Sequence, residues 1–455
     1  MVVLTPAGHA LHRNDPYLTM PATTPAPVVV ASAAKAKPKR NERTVRTELV
    51  RLRNTHAITP AQYGQYNRGF SAAIASEKRL RGTRKTELEA VVSNLHAIAA
   101  SGQLTPSRLP VLFQTLARNR QWWTTGPLLG SGQRVEFSGS NLVWQYYPGQ
   151  GIELQVLGTF GKADGLYTAG SAAYPQLIAL LNEMIPLAAQ RGGGLTWEYY
   201  FKFDGGSPPW TSAMAQGTAL EALTRGYQAS GDGNYLQIAQ QALPIFSVAP
   251  KTGVAERTPF GARYLQYSFA PGTDIINAFL QSLIGLYDYG QVSGSVIAQR
   301  LFAAGNAQAQ SELPRFDTGA WSLYQPGSED TLSYHELVTG FLQQLCQRTD
   351  APVYCTTADH FETYLTTLPV LQLVTQRLKF KHQASIAFRL SKVSHVGIVL
   401  LRGTQTVFQT SAGFSHGSHS FAIPALKRRG TYTVRLAATD LAGNFARIIG
   451  TVQVS

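Results

Sequence analysis

The stretch Asp274-Ile275-Ile276-Asn277-Ala278-Phe279-Leu280-Gln281-Ser282-Leu283-Ile284-Gly285-Leu286-Tyr287 decides how the middle of this chain is read. Ile276, Phe279, Leu280, Leu283, Ile284 and Tyr287 recur at three- and four-residue spacing. On a helix they form one wide apolar stripe, with Thr273 or Asp274 as its cap. Segments of the same kind lie on both sides, at 174–189, 212–228 and 235–243 before it and at 294–310, 334–345 and 353–365 after it. Loops containing Gly and Pro and rich in aromatic residues separate them. Helices of roughly 10–16 residues joined in this way predict an α/α barrel, or incomplete toroid, over 173–372. Such a fold gathers its loops at one end, around a cleft.

Outside this region the pattern changes. From residue 383 the period becomes two, and segments at 384–390, 396–401, 407–410, 420–423, 432–438 and 448–454 predict an immunoglobulin-like β-sandwich over 378–455. Before the helices, Val135-Glu136-Phe137 and Leu142-Val143-Trp144-Gln145-Tyr146-Tyr147 stand between Gly-rich turns and predict a small β-rich domain over 126–172. Residues 46–125 read as helical: Leu88, Val91, Val92, Leu95 and Ile98 share a face, and Thr59-Pro60 and Thr105-Pro106 mark helix starts. Residues 1–45 are rich in Pro, Ala and Thr and then in Lys and Arg, without periodicity, and read as a disordered basic segment. The expected fold class is therefore a multidomain α+β protein: helical N-terminal segment, small β domain, α/α barrel and C-terminal β-sandwich. A length of 455 residues suits about three folded units at ~150 residues each. No apolar run approaches the ~18 residues of a membrane helix.

The net charge of +14 is unevenly spread. Residues 1–121 carry 18 basic and 6 acidic side chains, residues 122–377 carry 12 and 19, and residues 378–455 carry 10 and 1. A mildly acidic middle thus lies between two basic ends, so any attraction to a polyanion belongs to the flanks, and nucleic acid is not read as a partner. Two cysteines, Cys346 and Cys355, flank a turn-like Arg348-Thr349-Asp350-Ala351-Pro352. They either pair, which would suit an oxidising compartment, or remain two thiols. With no CxxC and no Cys/His cluster, a metal site is not expected, and His395, His416 and His419 read as a loop face of the sandwich. Pro27-Val28-Val29-Val30-Ala31-Ser32-Ala33-Ala34 imitates a secretory signal only poorly. Export by another route, a natural start elsewhere, or retention inside the cell all stay open. An extracellular or cell-surface location is the expectation.

Four blocks in order carry a family resemblance. They are Trp210-Thr211-Ser212-Ala213-Met214-Ala215-Gln216-Gly217; Ile275-Ile276-Asn277-Ala278-Phe279 with Ser282-Leu283-Ile284-Gly285-Leu286-Tyr287-Asp288; Leu313-Pro314-Arg315-Phe316-Asp317-Thr318-Gly319 with Ser322-Leu323-Tyr324; and Tyr334-His335. Together they resemble the C-terminal domain of D-glucuronyl C5-epimerases. Tyr146-Tyr147-Pro148-Gly149-Gln150-Gly151-Ile152-Glu153-Leu154-Gln155 is similar, more loosely, to that family's substrate-contact stretch. The resemblance implies a β-rich domain beside an α/α barrel, and inversion of C5 in uronic acid residues of heparan- or heparosan-type polysaccharides without a cofactor. It implies catalytic roles for Tyr334, Tyr324 and Tyr267. It also implies substrate contacts from Asn277, Trp210, Ser212, Gln216, Tyr146, Tyr147, Gln150, Gln155 and His335. A C5 proton next to a carboxylate is weakly acidic, so such a site must stabilise enediolate-like charge and place an acid or base on each face of the ring. Tyrosine hydroxyls suit this, since they donate and accept. The expected partner is an acidic polysaccharide; the basic flanks suggest surface attachment, and the oligomeric state stays open, a homodimer included.

One departure stands out. The family's Tyr-Glu-Glu-Tyr appears here as Tyr264-Leu265-Gln266-Tyr267, so an amide, Gln266, replaces a carboxylate in the catalytic set. An amide has no titratable proton and is no general base. Either Tyr267, His335 or Glu336 takes over, or the protein abstracts a proton from one face and eliminates as a lyase, or it binds uronic acid polymer without turnover.

Overall fold

The computed structural model describes residues 1–5, 10–17 and 43–455. It divides into two compact units, one of residues 1–273 and 281–308 and one of residues 274–280 and 309–455.

The first unit opens with a sheet. Strands β1 (Val2–Leu4), β2 (Ala10–His12), β3 (Arg134–Phe137), β4 (Trp144–Tyr147) and β5 (Gly151–Leu154) lie in the order β2-β1-β3-β4-β5, with β1 parallel to β3. β1 and β2 fall within the segment expected to be disordered. Arg13 and Asp15 explain their place, because Arg13 Nη2 donates to Glu136 Oε2 at 2.9 Å and Asp15 pairs with the buried Lys162 at 2.8 Å. The Lys35 to Arg40 basic run and the signal-like Pro27 to Ala34 lie outside the described residues.

Helices α1 (Val45–Asn54), α2 (Pro60–Arg79), α3 (Gly82–Ala100) and α4 (Leu109–Thr125) follow. Thr44 and Thr59 cap α1 and α2 with reciprocal side-chain bonds to Thr47 and Gln62, and Pro60 takes the first position of α2. Thr105-Pro106 does not start a helix. It begins a turn closed by Arg108 N to Thr105 O at 3.1 Å, and α4 starts at Leu109. Helix α5 (Val156–Thr168) lies inside the stretch expected to be β-rich. It is buried on every side from Val156 to Leu166, with Lys162 and Asp164 held in ion pairs to Glu136 and Arg225. Then come α6 (Tyr174–Met184), the hairpin β6 (Ala189–Arg191) and β7 (Gly194–Thr196), α7 (Ala213–Ser230), α8 (Asn234–Ala242) and the hairpin β8 (Ala255–Thr258) and β9 (Gly261–Tyr264). Helices α5, α6, α7 and α8 pack on one another as an α/α array. Helices α9 (Ile276–Ser293) and α10 (Val296–Glu312) complete the central set. Helix α9 begins at Ile276, just after the Thr273-Asp274 pair expected to cap it, and Phe279 N bonds Ile275 O at 3.3 Å.

The second unit carries β10 (Leu323–Gln325) and β11 (Ser328–Glu329), then α11 (Leu332–Thr349) and α12 (Pro352–Tyr364), which pack as a hairpin joined by a Cys346–Cys355 disulfide. Strands β12 (Leu371–Leu373), β13 (Arg377–Leu378), β14 (Ala384–Leu390), β15 (Ser394–Arg402), β16 (Gln405–Phe414), β17 (Gly417–Ile423), β18 (Gly430–Asp440) and β19 (Phe445–Val454) follow. They form sheets of order β12-β14-β17 and β13-β19-β18-β15-β16. Alternation places Ile386, Phe388, Val396, Ile398, Leu400, Phe421, Val434, Leu436 and Val452 in a core between the sheets, each burial favouring the fold by roughly 1.5–3 kcal/mol. The outcome is the multidomain α+β class, with a sandwich at its C-terminal end.

Candidate active site

In the first unit the candidate residues gather around one aromatic strip. Trp197, Tyr199, Phe201 and Phe203 alternate along the chain, and period two sends alternate side chains to one face. Tyr199 pairs with Trp210 by two backbone hydrogen bonds, of 2.8 and 3.1 Å, and their rings stack at 4.2 Å. Phe203 lies 5.8 Å from Trp210 and 5.6 Å from Tyr267, whose ring stacks on Phe269 at 5.3 Å. Tyr147 joins through Phe201 at 4.5 Å. Aromatic faces of this kind suit the C–H faces of a sugar as well as each other.

Polar groups thread the strip. Gln155, the N-cap of α5, donates to the Tyr147 hydroxyl at 2.9 Å, and the Tyr199 hydroxyl donates to Gln155 Oε1 at 3.3 Å. Burial holds the Tyr199 phenol well above its usual range, so it stays protonated. Gln150 Oε1 accepts from Lys202 N at 2.9 Å and from Asn94 Nδ2 at 3.2 Å. Gly149 and Gly151 turn this segment at positive φ, and their N–H groups donate to the Glu87 carboxylate at 3.0 Å. A Cβ on Gly151 would lie 2.5 Å from Val91. Tyr146, expected to meet substrate, instead donates from its buried hydroxyl to Glu87 at 2.9 Å.

Ser212 caps α7, accepting from Ala215 N, and its hydroxyl donates to Gln266 Oε1 at 3.3 Å. Gln266 and Tyr267 are half-buried. Gln216 is fully buried and braces Trp197 and Thr211 through bonds of 2.7 and 3.1 Å, so the structure gives it a supporting role. Behind the strip Glu198 is held by Arg108 at 2.7 and 2.8 Å, by Arg191 at 2.8 Å and by Tyr200 at 2.8 Å.

In the second unit Tyr324, on β10, and Tyr334, in the first turn of α11, bring their rings to 5.2 Å at a tilt of 55°. Both are half-buried. Thr331 caps α11 by accepting from Tyr334 N, which fixes where the tyrosine leaves the helix. Burial holds the Tyr334 phenol above its usual range, so at neutral pH it is a proton donor. His335 is buried against Trp321 at 3.9 Å, with Nδ1 2.7 Å from Ser322 Oγ and Nε2 2.8 Å from Phe361 O. Both ring nitrogens are thus engaged within the protein, which makes His335 a structural neighbour of the tyrosines instead of a ligand contact. Asn277 is buried on α9, with Oδ1 2.8 Å from Ala278 N.

The sequence reading missed the partners behind these residues. The alternation Trp197, Tyr199, Phe201, Phe203 was the signal available for the strip. Ser322 and Asp330, eight positions apart across a turn, offered none.

Residues 191–363 match a family model described as the D-glucuronyl C5-epimerase C-terminus. Over 130 residues the chain is 36% identical to the D-glucuronyl C5-epimerase of Caenorhabditis elegans, covering 26% of this chain and 21% of that protein. An uncharacterized protein of Methanocaldococcus jannaschii is 28% identical over 137 residues, covering 29% of this chain and 44% of that one. The chain therefore spans less than half the length of these curated relatives. Among solved structures, a sugar epimerase from a ruminal bacterium has a TM-score of 0.37 at 11% identity, covering 62% of this chain and 74% of that one. The four blocks read from the sequence all fall inside residues 191–363, the span of this chain that is similar to the D-glucuronyl C5-epimerase C-terminal domain family.

Proposed function

We propose that this protein is a carbohydrate epimerase that inverts C5 of uronic acid residues, D-glucuronyl residues first among them, in an acidic polysaccharide. The observation that carries this reading is the Tyr324–Tyr334 pair, two phenols from different elements set 5.2 Å apart within the matched family span. The reaction passes the C5 proton to Tyr324, which takes it on a phenol oxygen that has first given its own proton to solvent, goes through enediolate-like charge next to the carboxylate, and receives a proton from Tyr334 on the opposite face. Tyr334, kept protonated by burial, supplies the proton and a hydrogen bond to the developing charge. Within the first unit, the half-buried Phe203 and Tyr267 offer stacking faces for sugar rings, and Gln266, held by Ser212, offers an amide. The basic ends and the immunoglobulin-like sandwich support retention at an acidic surface, and the Cys346–Cys355 bond supports an oxidising, extracellular location.

Gln266 favours a second reading, a glycan-binding protein without turnover, because the position carries no titratable group. Incubation with heparosan in deuterated water separates the two. Deuterium at C5 supports the epimerase, binding without exchange supports the binding module, and ultraviolet absorbance from an unsaturated uronate marks a lyase. Tyr334→Phe is expected to abolish exchange while polysaccharide binding survives, and exchange that persists in this variant overturns the assignment.

A further inference from the structure

Ser322 Oγ lies 2.6 Å from Asp330 Oδ2 and 2.7 Å from His335 Nδ1, and all three residues are buried, at 0%, 2% and 0% exposure. One hydroxyl proton serves one acceptor, so this contact pair needs a second proton from a neighbour. His335 Nε2 faces the Phe361 carbonyl at 2.8 Å, which only accepts, so the proton of the neutral ring sits on Nε2 and Nδ1 is an acceptor. The Ser322 backbone N–H also points at Nδ1, at 3.4 Å, so Nδ1 carries no proton and the ring is neutral, and burial, which drives His335 down to about 4, acts in the same direction. The Ser322 hydroxyl then donates to Nδ1, and the second proton comes from the Asp330 carboxyl, which burial pushes up to about 7. The groups facing this chain agree with that order. Lys392, tied to Asp440, disfavours a charged His335, Asp317 is occupied by Tyr364 and His360, and the Tyr334 phenol is the neighbour of Asp330.

The position of the chain gives it a purpose. Ser322 directly precedes β10, which carries Tyr324, Asp330 directly precedes the cap of α11, and His335 follows Tyr334. Trp321 stacks on His335 and donates from Nε1 to Asp330 O at 2.9 Å, closing the loop between the two tyrosines. We propose that Asp330, donating through Ser322 to His335, forms a set of positioning residues that clamps Tyr324 against Tyr334. The catalytic consequence rests on the epimerase reading above; the order of the hydrogens does not.

The test uses the full chain with 15N-labelled histidine, as wild type, Asp330→Asn and Asp330→Ala, read by histidine NMR and by C5 deuterium exchange. An Asn carboxamide donates to Ser322 as the neutral acid does. Asp330→Asn is expected to keep the neutral Nε2–H form of His335 and kcat within about twofold, while Asp330→Ala loses about tenfold or more in kcat with KM little changed. If Asp330→Ala does not fold, Ser322→Ala breaks the chain in its place. Equal loss in Asn and Ala variants, or none in either, overturns the clamp. Should the wild type catalyse no exchange, the epimerase reading fails, and the NMR still decides the chain: a charged His335 at about pH 6 overturns it, and a neutral one supports it.

Discussion

A Cβ built on Gly285 would fall 1.9 Å from the carbonyl oxygen of Gly217, so α7 and α9 meet backbone to backbone at these two glycines. From the other side, a Cβ on Gly217 would lie 2.6 Å from Ser282 Cα. Both glycines belong to the motif blocks, and this contact is the physical reason for them. Gly-to-Ala inside a helix ordinarily stabilises by roughly 0.5–1 kcal/mol. Here the obstacle is backbone, so Gly285→Ala is expected to destabilise the protein by about 1–3 kcal/mol in urea denaturation. Gly340→Ala on α11, where nothing lies within 4 Å of the added carbon, is the control and is expected to stabilise.

Gln266→Glu restores the family carboxylate at the residue that Ser212 already holds. Glu accepts the same hydroxyl bond, so the fold is expected to tolerate it, with a melting temperature close to wild type. If the native site is limited by the missing base, the C5 exchange rate rises by about 10²-fold, the lower end of what a positioned acid or base contributes. An unchanged rate would show that this position does not take part in proton transfer.

Glu198 faces two arginines and the Tyr200 hydroxyl from a side chain with 0% exposure. Removing one member of such a set leaves buried cations without compensation, so Glu198→Ala is expected to cost about 3–5 kcal/mol in chemical denaturation. Because Glu198 stands between Trp197 and Tyr199, the same variant should also perturb the strip, seen as altered near-ultraviolet circular dichroism below the unfolding midpoint.

How far the sequence shows this in advance depends on where each signal lives. The stripe on α9 is visible because one face is apolar and the others are not. The sandwich strands are visible because burial alternates along them. Helix α5 is hidden for the opposite reason: a helix buried all round has no stripe, and Gly158, Gly161 and Gly165 within it read as turn residues. A Cβ on Gly165 would lie 2.3 Å from Tyr17 O, so that glycine serves close packing. Of the candidate site, the tyrosines and Gln266 are legible through ordered blocks. The diversion of Tyr146 to Glu87, and the partners of His335, come from tertiary contacts 59 and 13 residues apart that no local pattern encodes.

The Asp330–His335 pair makes one prediction about pH that needs no activity. In the unfolded chain the two groups titrate at their ordinary values, 3.8 and 6.5, against about 7 and about 4 when folded. Between these values the folded protein holds its proton on Asp330, and the unfolded chain holds one on His335. The counts match, so the pair contributes almost no slope to stability across that window. Asp330→Asn leaves only the histidine. Its contribution is present above 6.5 and is lost as pH falls towards about 4, on the order of 3 kcal/mol in all. His335→Gln leaves only the carboxyl, whose contribution is full below 3.8 and is lost as pH rises to about 7, on the order of 4 kcal/mol. Urea midpoints measured across this range should therefore slope in opposite directions in the two variants and stay nearly level, for this pair, in the wild type. Slopes of the same sign in both variants would show that the two groups do not exchange a single proton in the folded state.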